Sequence, residues 1–255
     1  MTNVTFDLVH YDSVGSTNDE ARRLAEAGAA HGTVVVAREQ TAGRGRNGRR
    51  WVSPPGNLHL SILLRVGLTA SRLTVSRLAE LGFVAALAVA GATDAFAPGR
   101  AMLKWPNDVL VDGAKLSGIL LEPVAQAVIV GIGINVLHVP LAAPYPVTSL
   151  ALIGNTGATV DAARSELLDA FARWFGLWQR VGFDPVRAAW LSRAHPIGTG
   201  LRVTTATEVI SGCFGGLADN GALLLNRSDG ARRIVAGDVM IWQQPPDLDG
   251  PTPRG

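Results

Sequence analysis

Residues 40–51 are the stretch that most constrains the fold, because almost none of its side chains could pack in a hydrophobic core. It carries three glycines and four arginines, namely Gly43, Gly45, Gly48, Arg44, Arg46, Arg49 and Arg50. Glycine permits positive φ and close backbone approach, and successive N–H groups in such turns form concavities that bind anions. Arginine adds fork-shaped donors that match phosphate or carboxylate. The stretch therefore predicts an exposed loop, either a solvated basic surface or an anion site.

The overall charge favours a small anion over a nucleic acid as the ligand of this loop. The chain has 255 residues, with 23 Lys and Arg against 21 Asp and Glu, a net charge of +2. A dedicated nucleic-acid binder is usually more basic. With 47% apolar and 17% charged residues, the composition is that of a globular protein.

The sequence gives no sign of secretion or of a membrane span. Residues 1–15 have neither a basic start nor an apolar block, and the apolar run at 81–93 is too short to cross a bilayer. Cys213 is the only cysteine, which excludes an internal disulfide. A single unpaired cysteine fits a reducing, cytoplasmic location.

Hydrophobic periodicity predicts an α+β fold for the first two thirds of the chain. Strands are expected at 6–11, 34–37, 57–65, 102–105 and 127–136, with a hairpin at 109–122 that turns at Asp112-Gly113. Helices are expected at 16–28, 71–96 and 160–181, followed by a short helix opened by Asp184-Pro185. Because the strands meet at turns more often than through helices, we expect a mixed, largely antiparallel sheet backed by helices.

Two local features refine these expectations. Thr17 and Glu20 have the spacing of a capping box at the start of the first helix. After residue 195 the pattern changes to short strands with turns at 219–221 and 228–230, which indicates a small β-barrel. We therefore expect a catalytic domain at 1–194, a β-barrel domain at 195–244 and a disordered, Pro- and Gly-rich tail at 245–255.

Four further segments carry polar groups where simple core strands or helices would not need them. They are Ser16-Thr17-Asn18 at a helix start, Lys104-Trp105-Pro106-Asn107-Asp108, the pair Lys115 and Gly118 after the hairpin turn, and Asn135 at the end of an apolar strand. A helix start favours anions through its free N–H groups.

Taken in this order, the segments resemble the biotin–protein ligase family, the biotin–[acetyl-CoA-carboxylase] ligases. The matching pieces are residues 16–18, 40–51, 57–58, 104–108, 115–120 and 131–135. The resemblance covers most of the chain and implies a class II synthetase-like catalytic domain with an SH3-like C-terminal barrel. Some members carry an N-terminal winged helix-turn-helix that binds DNA. Here the pattern begins almost at Met1, so we expect a ligase without DNA binding.

The resemblance implies a two-step reaction with biotin as substrate and ATP and Mg²⁺ as cofactors. Biotin's carboxylate attacks the α-phosphorus of ATP to form biotinyl-5′-AMP, and a lysine of a biotin carboxyl carrier domain then attacks the mixed anhydride. That domain would belong to an acetyl-CoA or acyl-CoA carboxylase. The first step brings two anions together, so the site must neutralise charge. We expect a monomer or a weak, ligand-dependent homodimer, with no DNA or membrane partner.

The resemblance also implies roles for individual residues. The catalytic residues would be Arg44, Arg46 and Lys115. Biotin would contact Ser16, Thr17, Asn18, Gln40, Gly43, Arg44, Gly45, Arg46, Lys115 and Gly118. ATP or the adenylate would contact Arg46, Arg49, Trp51, Lys104, Asn107, Asp108 and Asn135. Two roles stay open: Asp108 either helps to hold Mg²⁺ or orients Lys104, and Trp51 either packs in the core or contacts the nucleotide.

Three other functions compete with this one. A lipoate–protein ligase shares the fold and the adenylation chemistry but lacks the Gly-Arg-Gly-Arg loop. A non-catalytic RNA-binding module could use the arginines at 44–50, but single-strand readers usually interleave exposed aromatic residues, which are missing here. A dinucleotide site at Gly131-x-Gly133 lacks the third glycine and a following helix, so we discard it.

Overall fold

A seven-stranded sheet forms the centre of the computed structural model, which describes residues 4–65, 75–124 and 127–242. Its strands are β1 (Asp7–Val14), β2 (Thr33–Gln40), β3 (Leu58–Arg65), β4 (Ala101–Lys104), β5 (Asp108–Val111), β6 (Ala114–Val124) and β7 (Ala127–Ile134). Their order across the sheet is β1-β2-β3-β7-β6-β5-β4. The β1–β2 pair is parallel and the other neighbouring pairs are antiparallel. The predicted mixed, largely antiparallel sheet is therefore confirmed.

Helices cover both faces of this sheet. They are α1 (Thr17–Glu26), α2 (Val75–Asp94), α3 (Val160–Val181) and α4 (Asp184–Ser192). Ala21 and Ala25 of α1 pack on one face, and α2 and α3 pack against the other. The first four residues of the helix predicted at 71–96 lie outside the described residues.

The apolar stripe of β3 accounts for this layering. Leu58, Leu60, Ile62 and Leu64 were predicted on one face, and all four are fully buried against the α2–α3 layer. Leu63, on the opposite face, is equally buried beneath α1. A strand that is covered on both faces carries a near-continuous apolar run.

The hairpin between β5 and β6 is confirmed at the predicted turn. Asp112 has a φ of 51° and Gly113 a φ of 80°. A type I′ turn requires positive φ at both central residues, which explains the Asp-Gly pair.

The capping box predicted at Thr17 and Glu20 is wrong. Ser16 occupies the N-cap position without a side-chain cap hydrogen bond, so Thr17 is already the first helical residue. The Thr17 hydroxyl faces Gln40 and Ser61, and the Glu20 carboxylate accepts from Arg23 in the next turn. These polar groups serve tertiary contacts that a local pattern does not reveal.

The C-terminal part is a separate five-stranded antiparallel sheet. Its strands are β8 (Gly200–Thr204), β9 (Val209–Leu217), β10 (Leu223–Arg227), β11 (Gly230–Ile234) and β12 (Asp238–Trp242), in the order β11-β10-β9-β8-β12. Closure into a barrel and the domain boundaries stay predictions, and the tail predicted at 245–255 lies outside the described residues. No described helix is long and apolar enough to cross a membrane.

Three contacts connect the C-terminal part of the chain to the large sheet and its helices. The Trp105 indole N–H donates to the carbonyl of Gly221 at 3.1 Å, and the Leu103 N–H donates to the carbonyl of Arg193 at 2.8 Å. Gly221 lies so close to Phe83 that a Cβ there would be 2.6 Å from the ring. The Gly221 contacts hold the turn between β9 and β10 against Trp105 and α2, and the Arg193 contact holds the end of α4 against β4.

The buried Asn57 ties the start of β3 to the segment after β7. Its Oδ1 accepts from the N–H groups of Val136, Leu137 and His138 at 2.9–3.0 Å. Its Nδ2 donates to the carbonyl of His138 at 2.9 Å. The Asn57 amide thus provides hydrogen-bond partners for several backbone groups that are not paired within the sheet.

We predict that Asn57→Ala lowers the free energy of unfolding by about 3 kcal/mol, because it leaves buried N–H groups without acceptors. Urea denaturation followed by circular dichroism measures this change. Asn57→Asp keeps the acceptor oxygen and should recover part of the loss. A loss of less than about 1 kcal/mol in the alanine variant would contradict this role for Asn57.

Candidate active site

A cavity of about 760 Å³ opens between the large sheet, residues 40–51 and β12. We call residues 40–51 the arginine loop. The cavity gathers most of the predicted site residues: Ser16, Thr17, Asn18, Gln40, Arg44, Gly45, Arg46, Arg49, Trp51, Lys104, Asn107, Asp108, Lys115 and Gly118. Gly43 and Asn135 do not line it. Segments more than 100 residues apart in sequence therefore share one pocket.

One end of the cavity is polar and uncharged. Gln40 Oε1 accepts from the N–H of Thr17 at 2.8 Å and lies 3.1 Å from its hydroxyl. Gln40 Nε2 donates to Ser53 Oγ at 2.8 Å, which fixes the orientation of the amide. Such an end suits a small neutral group with its own donors and acceptors.

Glycines in β6 and β7 form the floor of the cavity. A Cβ on Gly133 would lie 2.5 Å from the Trp51 ring, and one on Gly118 would lie 3.2 Å from it. The indole therefore rests on strand backbone while it also lines the cavity, so Trp51 both packs and faces the site. The glycines at 131 and 133 serve close packing, which explains them without a dinucleotide.

Lys115 lies at the cationic centre of the cavity. Its Nζ is 2.6 Å from Asp108 Oδ1, and Lys104 Nζ is 3.5 Å from Asp108 Oδ2. The side chains of Lys115, Asp108 and Lys104 are only 13%, 15% and 20% exposed. The Trp51 and Tyr145 rings lie 5.6 Å and 5.3 Å from the Lys115 ammonium. Two lysines and one aspartate leave one net positive charge, which suits an anion.

Arg44 is tied to the start of α1. Its guanidinium makes two hydrogen bonds of 2.6 Å to the carboxylate of Asp19. The hydrogen bond from Arg44 is the main cause that lowers the pKa of Asp19 below its usual value. An anion that bound this guanidinium would have to compete with the ion pair.

The other end of the arginine loop contacts the C-terminal sheet. Arg46 Nη1 donates to the carbonyl of Gly237 at 3.2 Å and lies 3.7 Å from Asp238 Oδ1. Arg49 forms an ion pair with the same aspartate, and Arg46 also reaches Asn107 Oδ1 at 3.4 Å. Burial lowers the pKa of the Arg46 guanidinium, which still remains charged near neutral pH.

Two predicted residues have other partners in this structure. Asn135 is buried, and its Nδ2 donates to the carbonyl of Thr148 at 3.0 Å. Gly43 is a point of close approach, because a Cβ there would lie 2.5 Å from the carbonyl oxygen of Trp51 and 2.7 Å from Ser53 Oγ. Their roles toward the adenylate and biotin stay predictions.

The residues that sequence reasoning missed are Ser53, Ser61, Glu122, Tyr145, His195 and Asp238. Glu122 interrupts the apolar run of β6, and this polarity change was the one available sequence signal. His195 lines the cavity, and its Nε2 is buried without a hydrogen-bond partner among the described residues. Burial and the nearby charge of Lys104 lower the pKa of its imidazole, so it is neutral near pH 7.

Asp108, the predicted weak metal ligand, faces two lysines in this structure. Across 4–65, 75–124 and 127–242, no group of three or more His, Cys, Asp or Glu side chains is arranged to hold a metal ion. The Asp108 oxygens face Lys115 and Lys104, and ammonium groups oppose a bound cation. The other role considered for Asp108, the orientation of a lysine side chain, is therefore better supported. Lys115 lies closer to Asp108 than Lys104 does.

Two family models match separate parts of the chain. The Biotin/lipoate A/B protein ligase family matches residues 12–137, and the Biotin protein ligase C terminal domain matches residues 197–242. A solved structure of a biotin protein ligase from Aquifex aeolicus, in complex with biotin and ATP, is similar in fold. It has a TM-score of 0.80 and 29% identity, over 93% of this chain and 99% of that one.

Sequence relatives agree with the family models. A biotin–[acetyl-CoA-carboxylase] ligase of Paracoccus denitrificans is 43% identical, over 89% of this chain and 97% of the relative. The bifunctional ligase/repressor BirA of Bacillus subtilis (strain 168) is 35% identical, over 92% of this chain and 74% of the relative. With this identity and coverage added to the geometry of the cavity, the chain belongs to the biotin–protein ligase family.

Proposed function

We propose that the cavity activates biotin as biotinyl-5′-AMP at the expense of ATP and transfers the biotinyl group to a lysine of a biotin carboxyl carrier domain. One observation carries this proposal: a fixed, uncharged polar end at Thr17 and Gln40 shares a single cavity with the cationic centre at Lys115. Biotin matches both parts of the cavity, because its ureido ring is polar and neutral and its carboxylate is charged. The related Aquifex aeolicus enzyme is described in complex with biotin and ATP.

In the first step, a carboxylate oxygen of biotin attacks the α-phosphorus of ATP, and the bond to diphosphate breaks. Both reactants are anions, so the reaction needs positive charge at the point of attack. Lys115 supplies it within a largely buried site, where its charge is weakly screened. Asp108 holds the Lys115 ammonium in place, 2.6 Å away.

Arg46 and Arg49 would bind the phosphates. In this structure both arginines pair with Asp238 of the C-terminal sheet. A triphosphate carries several charged oxygens, so it can accept more charge-assisted hydrogen bonds from the two guanidinium groups than one partly exposed carboxylate. We therefore infer that ATP displaces Asp238 and draws the arginine loop toward the cavity.

In the second step, the amine of the target lysine attacks the carbonyl carbon of the mixed anhydride, and AMP leaves. The anhydride must be kept from water until the carrier arrives. The aromatic rings of Trp51 and Tyr145, which both lie near the Lys115 ammonium, would shield the anhydride.

Mg²⁺ would enter with ATP rather than occupy a site of the protein. The described residues around Asp108 offer no carboxylate cluster for it, and Mg²⁺ is commonly held by substrate phosphates in nucleotide sites. The carrier domain as partner, a monomeric or weakly dimeric state, the absence of DNA binding and a cytoplasmic location all stay predictions.

The polar end of the cavity argues against lipoate as the substrate. A dithiolane ring has neither N–H nor C=O groups, so it could form no hydrogen bonds with the polar atoms of Thr17 and Gln40 that line this end of the cavity. The RNA-binding alternative is weakened because Arg44, Arg46 and Arg49 all line one cavity that also holds the neutral polar end.

The decisive experiment is incubation of the protein with ATP, Mg²⁺, biotin and a biotin carboxyl carrier domain. We expect the mass of the carrier to rise by one biotinyl group, with AMP and diphosphate as products. A parallel reaction with lipoate should leave the carrier unchanged. An unmodified carrier in the biotin reaction, or modification by lipoate alone, would refute the proposal.

We predict that Lys115→Ala slows adenylate synthesis at least a hundredfold, since a charged donor at a developing charge is worth about 3 kcal/mol of transition-state stabilisation. Diphosphate release measures the rate. The melting temperature serves as the control and should show that the variant stays folded, because Lys104 still faces Asp108 after the substitution. Normal adenylate synthesis in this variant would show that Lys115 has another role.

We predict that Arg46→Gly makes adenylate at a reduced rate and releases it before transfer. The substitution removes the contacts to Gly237 and Asn107 and loosens the loop backbone. The freed anhydride would then acylate unrelated proteins, which streptavidin blotting of a protein mixture detects. Arg46→Lys keeps a positive charge and should leak less. Carrier-specific labelling by an active Arg46→Gly enzyme would mean that another contact closes the loop.

A further inference from the structure

We propose that Glu122, which does not line the cavity, is a positioning residue that sets the hydrogen-bond polarity of the biotin pocket. Its carboxylate fixes the orientation of the Asn18 amide. The Asn18 amide in turn fixes the direction of the Ser61 hydroxyl, and Ser61 fixes that of the Thr17 hydroxyl. The inference rests on the proposed function, because it assigns the Thr17 end of the cavity to the ureido ring.

The three strands beneath α1 place these groups together. Ser61 of β3 pairs with Gly131 of β7, and Glu122 of β6 pairs with Ile129 two residues earlier on β7. The Asn18 amide lies directly over Gly131, where a Cβ would come within 2.3 Å of Oδ1 and 3.0 Å of Nδ2. Asn18 is therefore held against the strand backbone, and it is only 3% exposed.

A continuous chain of contacts runs from Glu122 to the cavity. Asn18 Nδ2 donates to Glu122 Oε2 at 2.7 Å, and Ser61 Oγ donates to Asn18 Oδ1 at 2.5 Å. Ser61 Oγ also lies 2.8 Å from Thr17 Oγ1. The other carboxylate oxygen of Glu122 faces Arg22 and Arg44, at 3.7 Å and 3.8 Å. Each of its oxygens thus has a different kind of partner.

The charge of Glu122 gives this chain one direction. A carboxylate only accepts, so the NH₂ group of Asn18 must face Glu122 and its oxygen must face Ser61. That oxygen also only accepts, so the single hydroxyl proton of Ser61 is used there. The contact between Ser61 and Thr17 must then be donated by Thr17.

The consequence is an acceptor that faces the cavity. Once the Thr17 hydroxyl proton is directed to Ser61, the remaining lone pair of Thr17 Oγ1 is available to a ligand N–H. The alternative partner, Gln40 Oε1, is farther away at 3.1 Å and already accepts from the Thr17 backbone N–H. The pocket therefore favours the binding of a ring that donates an N–H to Thr17 Oγ1, as a cyclic urea does. A ring without N–H groups would bind less tightly.

Glu122→Gln is the sharpest test, because it keeps the size of the side chain. An amide at position 122 can accept from Asn18 or donate to it, so it no longer enforces one orientation. We expect the KM for biotin to rise about tenfold, the effect of one hydrogen bond. The KM for ATP and kcat should change less than twofold. Glu166→Gln, on the exposed side of α3, is the matched control and should change neither constant.

A double-mutant cycle separates positioning from a general loss of structure. If Glu122 acts through Asn18, Glu122→Gln should have no further effect on the biotin KM in an Asn18→Ala background. The melting temperature of Glu122→Gln should stay within about 2 °C of the wild type, a shift worth less than 1 kcal/mol in a chain of this size.

Several results would overturn the inference. They are an unchanged biotin KM in Glu122→Gln, a parallel rise of the KM for ATP, or additive effects in the cycle. Adenylate synthesis by the wild-type protein distinguishes the two proposals. A wild type that makes adenylate together with an unaffected Glu122→Gln variant refutes this inference alone. A wild type that makes no adenylate from biotin refutes both.

Discussion

The site depends on three positions in β6 and β7 where the strand carries no side chain. Gly118 and Gly133 allow the Trp51 indole to lie on the sheet, and Gly131 does the same for the Asn18 amide. Glycine within a strand weakens the sheet, which makes sense only where another group must approach the backbone closely. A methyl group at 131 or 133 would lie 2.3 Å from Asn18 Oδ1 or 2.5 Å from the Trp51 ring, so the Asn18 or Trp51 side chain would have to move off the sheet. The cavity is thus a gap in the side-chain layer over an otherwise apolar sheet.

Charge on the arginine loop is balanced at both of its ends. Asp19 of α1 holds Arg44, while Asp238 of the C-terminal sheet holds Arg49 and approaches Arg46. Cations this close together repel one another unless anions lie between them. The two aspartates therefore stabilise the loop in the absence of nucleotide. Because one of them belongs to β12, the C-terminal sheet takes part in the site and is not simply appended to the catalytic domain.

Sequence patterns predicted the helices and turns that depend on hydrophobic periodicity and on local turn chemistry. They did not predict side-chain contacts between residues that are far apart in the chain. The α3 helix was predicted at 160–181 because its apolar stripe is long, and the Asp112-Gly113 turn because its backbone requires those residues. The capping box failed because the Thr17 hydroxyl is used by residues that lie 23 and 44 positions away. Glu122 meets Asn18 across 104 positions. No local pattern predicts such a pair. The arginine loop stood out by its own composition, whereas the roles of the individual site residues came from the family resemblance.

The two ends of the cavity bind their ligands through different interactions, charge at one end and directed hydrogen bonds at the other. This difference explains why both ends are needed. Charge at Lys115 is strong but unselective, since it attracts any carboxylate or phosphate that reaches the cavity. Hydrogen bonds at Thr17 and Gln40 are weaker, but a wrong partner leaves buried groups unpaired and is penalised. Selectivity must therefore come from the neutral end, where donors and acceptors have fixed directions. A carboxylate placed behind that end, as Glu122 is, can impose a direction on hydroxyl groups that would otherwise rotate, without adding negative charge beside the substrate's own carboxylate.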